Sequence, residues 1–180
     1  MKISSNASGR YERELNQGCR PALRKIVASD AFAASPLILY VADVTWQQAS
    51  QLEDGTVVPM RPSLTVSDGW YSLSAQLDEP LVNAVKKGVL RRGVKFGTVG
   101  ARLDSDKKEP QEILDAGASV RLILSANSTN LVPWHTKLGF TAGPCISTLN
   151  ALSPTGGQVS TMDLVVVKVC SPFLCLPPLC

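Results

Sequence analysis

The dipeptide Asp68-Gly69 stands between two short apolar-alternating segments, Ser63 to Ser67 and Tyr71 to Leu77, and it constrains the fold more than any other local feature. A glycine after aspartate supplies the positive φ of a tight hairpin turn, so two antiparallel strands are predicted to meet there. Side chains on the second strand alternate faces. Tyr71, Leu73, Ala75 and Leu77 make a core face, whereas Trp70, Ser72, Ser74 and Gln76 point the other way. That second face is polar apart from Trp70. An indole there must be covered, by nucleic acid, by a neighbouring helical segment or by a partner chain.

The hairpin is followed by a helix, and its placement narrows the topology. Asp78 suits the N-cap, Pro80 the first turn and Gly88 the C-terminal cap, with Leu81, Val82 and Val85 as the buried stripe. Pro36 to Val44 reads as a strand with Leu37, Leu39 and Val41 on one face and Ile38 and Tyr40 on the other, as in a strand bending through a closed sheet. Another strand spans about Lys95 to Leu103, where Gly97 and Gly100 permit a bulge or a corner. Ser119 to Ala126 and Leu164 to Val169 read as two more, separated by a long irregular stretch. Before them all, Arg10 to Ser29 is helical in character, with a stripe of Leu15, Cys19, Leu23 and Ile26, split by Gly18 and Pro21. The expected fold is all-β with flanking helices: an OB-fold, a five-stranded Greek-key barrel with a helix between strands 3 and 4. The expected organisation is an N-terminal helical segment over 1–35, the OB fold over 36–170 and an apolar tail over 171–180.

Composition excludes more than it assigns. Charged residues are 18% and the formal charge is +3, an ordinary globular balance and a mild bias toward anionic partners. No run is long enough to span a membrane, and MKISSNASGR lacks the apolar core of a signal peptide. The five cysteines, Cys19, Cys145, Cys170, Cys175 and Cys180, fit no zinc spacing and read as reduced thiols. A single histidine, His135, leaves a nucleophilic site only one possible base. GTVGARLD lacks the Lys-Ser/Thr of a phosphate-binding loop. The expectation is a protein that is not an enzyme and that uses no cofactor or metal.

Two surfaces suit single-stranded nucleic acid, which OB folds bind by stacking bases on aromatics with cations along the backbone. One is the outward face of the hairpin strand, Trp70, Ser74 and Gln76, with Arg102 and Arg121 as neighbours. The other is the cluster Lys86, Lys87, Arg91, Arg92 and Lys95, five cations in ten residues with no acid. A third surface suits a protein. Arg13, Arg20, Arg24 and Lys25 flank the N-terminal apolar stripe, and Phe173 lies in the apolar, proline-rich tail. Cations that steer and apolar grooves that hold would fit a small acidic partner.

The segments RYERELNQGCRPALRKI, LTVSDGWYSLSAQLDEPLVNAVKKGVL and LILSANSTNLVPWHTKLGF resemble the breast cancer type 2 susceptibility protein family, at the first OB fold of its C-terminal DNA-binding domain. The Asp-Gly-Trp-Tyr hairpin, the Ala126–Thr129 segment, the Trp134–Phe140 run and Gly156–Val169 occur in the family's order. The resemblance covers roughly residues 10–170. It implies a module of a nuclear homologous-recombination mediator acting in double-strand break repair. Such a protein brings a RecA-like recombinase to single-stranded DNA, and its first OB fold helps hold a small acidic partner protein. Asp104 to Asp115 departs from a DNA-gripping loop, carrying five acids against Lys107 and Lys108. Single-stranded DNA binding by the chain alone is therefore expected to be weak. A docking module without significant DNA binding and an OB fold for another ligand, such as an oligosaccharide, are the alternatives that the residues leave open.

Overall fold

The computed structural model of the protein describes residues 9, 12–47, 50–51, 57–58, 60–105, 110–116, 119–143 and 145–169. A π-helical turn, Glu12–Asn16, precedes helix α1, Ala22–Val27. Strand β1, Leu37–Gln47, leads through an excursion to β2, Arg61–Ser67, and β3, Ser72–Leu77. Helix α2, Glu79–Lys86, follows, then β4, Lys95–Thr98, and β5, Arg102–Ser105. A single turn, α3 (Ile113–Ala116), precedes β6, Val120–Leu124, and β7, Thr129–Leu131.

The pairings are those of an OB fold. β1 pairs antiparallel with β2, β2 antiparallel with β3, and β3 parallel with β6. β5 pairs with β6, while β4 pairs with both β1 and β7. Since β4 and β5 are separated only by residues 99–101, they are two halves of one bent strand, and through them the sheet returns to β1. The fifth strand bends in step, β6 continuing into β7. The sequence reads Lys95 to Leu103 as one strand. The structure breaks it at Gly100, whose φ of +75° only glycine adopts freely. β1 is shared between ladders: Leu37 to Tyr40 pair with β4, Tyr40 to Gln47 pair with β2, and a bulge between Val41 and Asp43 bends it within the second.

One core fills the barrel. Leu37, Leu39, Val41, Leu64, Leu73, Phe96, Leu122 and Leu124 are buried together, closed at one end by Leu23 and Ile26 of α1, with Tyr71 and Leu77 packed against its edge. The opposite face of β1 is covered too. Ile38 packs with Val132 and Cys145 so closely over Gly97 that a Cβ there would lie 2.9 Å from the Cys145 sulfur. That second layer explains why β1 is apolar on both sides. α2 begins where its sequence signals place it: the Asp78 carboxylate accepts from Leu81 N at 3.0 Å and from Ala126 N at 2.7 Å, capping the helix and holding the end of β6.

Two expectations are corrected. Leu15 is 54% exposed and Cys19 is exposed, so only Leu23 and Ile26 of the N-terminal stripe reach the core. Gly18, at φ +65°, and Pro21, extended at the start of α1, break the periodicity between them. Leu164 to Val169 is β-branched and apolar but forms no strand. After a short strand β8, Gly139–Phe140, the chain's last described strand pairing is Ile146–Ser147 (β9) with Thr161–Met162 (β10), and beyond it Val167 is 92% exposed. An apolar, β-branched segment states what could be buried; a strand also needs a partner strand, and none of the described strands pairs with this segment. Lys107, Lys108, Phe173 and three of the five cysteines lie outside the described residues.

Candidate functional site

The Asp68-Gly69 turn is the centre of the first surface. Gly69 has φ +90°, as the hairpin requires. Asp68 is 5% exposed, and both its carboxylate oxygens are engaged: one accepts from Trp70 N and Tyr71 N at 3.0 Å each, the other from Leu23 N at 2.8 Å. Leu23 lies in the first turn of α1, where Pro21 offers no side-chain cap. Asp68 therefore caps α1 across 45 residues of sequence. Trp70 sits within this turn rather than on β3, so the strand's alternation does not govern it. It is half-buried and lines a groove of about 620 Å3 with Arg13, Arg20, Lys25, Lys137, Leu138 and Phe140. The residues that close the groove belong to the Trp134–Phe140 run. Leu138 packs on Gly69, and Gly139–Phe140 forms a short strand, β8, that pairs with Leu37 and Ile38.

The cations around this groove are not equivalent. Arg20 pairs with Asp30 at 2.7 Å with both side chains about half exposed, a pair that water screens. Arg24 is bound to Glu14 and, at 3.2 Å, to Glu112, which leaves it a structural role. Glu14 also accepts from the Tyr71 hydroxyl at 2.8 Å, fastening the N-terminal segment to the hairpin. Burial pushes the Tyr71 hydroxyl above its ordinary 10.0, and its hydrogen bond to Glu14 adds to the shift. A folded value above the unfolded one means stability that is intact below pH 10 and is lost as pH rises through the folded value. Denaturation midpoints between about pH 8 and pH 11 should fall at the alkaline end and fall less in Tyr71→Phe. The buried Cys145 thiol, also pushed up, leaves a residual slope in that variant.

The second surface is the outward face of β2, β3 and β6. Ser74 stands opposite Thr65 on one side and Arg121 on the other, and Gln76 opposite Ile123. Ser63, Ser74, Gln76 and Arg121 line a groove of about 290 Å3 that Arg61 also enters. Arg61 is 3.8 Å from Glu79, a loose exposed pair. Arg102 lies one strand further out, opposite Ile123, and lines a separate cavity of about 410 Å3. Asp104 stands opposite Arg121 in the same ladder, which moderates the positive charge of this face.

The third surface is the turn between α2 and β4. Lys86, Lys87, Arg91 and Arg92 are exposed there, Arg91 donating to the Gly88 carbonyl at 3.2 Å. Lys95 departs from the cluster: its ammonium donates to the Thr136 carbonyl at 2.8 Å. Thus the structure gathers Ser74, Gln76 and Arg121, moves Trp70 to the groove of Arg13, Arg20 and Lys25, and leaves Arg102 apart. Sequence reasoning missed Arg61 and Lys137. The one legible hint was Lys137 inside the quoted Trp134–Phe140 run.

The Ala126–Thr129 segment is a bracket. Buried Asn127 donates to the carbonyls of Ser153 and Gly157 at 2.9 and 2.8 Å and accepts from Ser153 N at 2.8 Å. A Cβ on Gly156 would fall 2.5 Å from its side-chain oxygen, so the loop can close only over glycine. Among the described residues no cluster of His, Cys, Asp and Glu could hold a metal, and no helix is long and apolar enough to cross a membrane.

Comparison with known proteins places this architecture. Residues 21–142 match the family described as BRCA2, oligonucleotide/oligosaccharide-binding, domain 1. The chain is 31% identical over 155 residues to Protein BREAST CANCER SUSCEPTIBILITY 2 homolog A of Arabidopsis thaliana, covering 83% of this chain and 13% of that protein. It is 33% identical over 135 residues to homolog B of the same plant, covering 73% of this chain and 12% of that one. The chain thus spans about an eighth of the length of the relatives it matches. With the OB pairing order, the Asp-Gly-Trp-Tyr hairpin and this match agreeing, the chain belongs to the BRCA2 family, at its first oligonucleotide/oligosaccharide-binding domain.

Proposed function

We propose that the chain is a non-catalytic docking module of a nuclear homologous-recombination mediator, and that it holds a small acidic partner protein in the Trp70 groove. The observation that carries this reading is the groove itself: Arg13, Lys25 and Lys137 stand around Trp70 and Phe140 in a concavity of about 620 Å3. An acidic segment with an aromatic or aliphatic anchor would meet cations at the rim and an apolar floor. The module also touches single-stranded DNA weakly, through Arg61, Ser74, Gln76 and Arg121, and through the full-length protein it serves the loading of a RecA-like recombinase during double-strand break repair. Few contacts on one fold imply a Kd of about 1 μM or weaker for oligonucleotides.

Two charge reversals separate these roles. Arg13→Glu with Lys25→Glu should weaken the acidic partner at least about tenfold at low salt, mostly by slowing association. The same variant should leave oligonucleotide affinity within about threefold, since stacking and phosphate contacts lie elsewhere. Arg61→Glu with Arg121→Glu should do the reverse, and its salt slope should be shallower by about two phosphate contacts. Equal losses for both ligands in both variants would leave no separate docking groove.

A further inference from the structure

Trp134 is 83% exposed, where tryptophan is mostly buried in folded proteins. The loop that carries it is fixed. Val132 N donates to the Lys95 carbonyl at 3.2 Å, Thr136 N to the Pro133 carbonyl at 3.0 Å, and the Lys95 ammonium to the Thr136 carbonyl at 2.8 Å. The His135 ring stands at 88° to the indole with centroids 5.9 Å apart, which orients it. An indole held this way loses little freedom on binding.

Its surroundings favour one ligand class. Trp134 is two residues from Val132, whose backbone is bonded to Lys95, and Arg92 is three residues from Lys95. At no more than ~3.6 Å per residue, those steps are at most about 7 and 11 Å. The exposed arginines of the α2–β4 turn and the exposed indole are thus tied to Lys95 by short chain segments. None of the chain's acids lies between Ala116 and Met162. Pro133, His135 and Lys137, beside the indole, are exposed, so no packed apolar pocket surrounds it. A protein anchor draws its energy from such a pocket. A nucleic-acid base needs only a π-face with cations nearby.

We propose that Trp134 is a stacking platform for an unpaired base of single-stranded nucleic acid, with Arg91 and Arg92 receiving the neighbouring phosphates. This rests on the reading that the module contacts single strands, and it adds a site apart from the β2–β3–β6 face. The test is a fluorescence and anisotropy titration of the 180-residue chain with oligo(dT), with an oligomer of abasic residues and with a polyglutamate peptide carrying one phenylalanine. Oligo(dT) should quench the emission of the wild-type chain, whose most exposed indole is Trp134 among the described residues, and Trp134→Ala should abolish most of that quenching. Trp134→Ala should weaken oligo(dT) about 5- to 100-fold and the abasic oligomer less than twofold. Trp134→Phe should recover most of the affinity. Arg91→Glu with Arg92→Glu should weaken both oligomers and flatten the salt slope. Unchanged thermal midpoints would establish that each variant is folded. Oligo(dT) binding that persists in Trp134→Ala with quenching intact overturns the platform and leaves the weak single-strand reading standing. No binding of either oligomer by the wild-type chain overturns both. Loss of the peptide alone in Trp134→Ala assigns the indole to a protein partner and overturns the proposal.

Discussion

Replacing Asp68 by alanine is expected to destabilise the chain by about 3–5 kcal/mol, more than any other polar substitution in the fold. The carboxylate accepts three backbone N–H groups, from Leu23, Trp70 and Tyr71. Bonds to a charged acceptor are each worth roughly 1.5–3 kcal/mol, and relief from burying the charge offsets part of their sum. The loss is shared between two elements. The hairpin loses the acceptor that shapes it, and α1 loses its cap, a change of about 1 kcal/mol by itself. Asp68→Asn keeps one acceptor oxygen and should fall between. Urea midpoints at constant m-value measure the sum, and hydrogen exchange at the Leu23 and Tyr71 amides locates it. A shift below about 1 kcal/mol would mean the carboxylate is not the joint between helix and turn.

Leu122→Ala carries the second large effect, about 2–5 kcal/mol. Leu122 is fully buried on β6, opposite Ala75 on one side and Leu103 on the other. Its neighbours in the ladder are fixed by main-chain hydrogen bonds and cannot collapse into the space, which puts the cost toward the upper half of that range. Leu122→Met, which conserves volume, should cost less than about 1.5 kcal/mol. A midpoint that hardly moves in Leu122→Ala would show that the barrel interior lies on the other face of this strand.

Features read correctly from the sequence were those whose causes are local. The Asp-Gly turn, the Asp78 cap, the alternation of Leu37, Leu39 and Val41 and the core face of Val120, Leu122 and Leu124 each depend on residues a few positions apart. The features that escaped depend on distant partners. Nothing near Asp68 announces that its second oxygen belongs to Leu23, and that bond draws the N-terminal segment over the turn. For the same reason the sequence points to Trp70 as an outward residue of a strand, although the turn and the Trp134–Phe140 run place it in a groove. Arg24 looked like one more surface cation, yet Glu14 and Glu112 hold it in place. Leu164 to Val169 shows the opposite error, a strong local pattern that joins none of the described strands.

The resemblance added what periodicity could not. Once the Ala126–Thr129 bracket and the Leu138–Gly69 contact are visible, the reason these motifs travel together is physical. Each secures the long excursion after the fifth strand to the barrel, and the excursion supplies Lys137 and Phe140 to the candidate docking groove. A module built this way gathers Arg13, Lys25 and Lys137 around its groove, while the strand face that OB folds use for oligonucleotides carries an acid opposite Arg121.

Sedimentation velocity of the 180-residue chain, alone, with a small acidic protein and with oligo(dT), tests the docking claim most directly. The account predicts a complex with the acidic protein that dissociates as salt is raised and that Arg13→Glu with Lys25→Glu prevents, while oligo(dT) binds weakly. A clean monomer that ignores the acidic protein yet binds oligo(dT) tightly would contradict it.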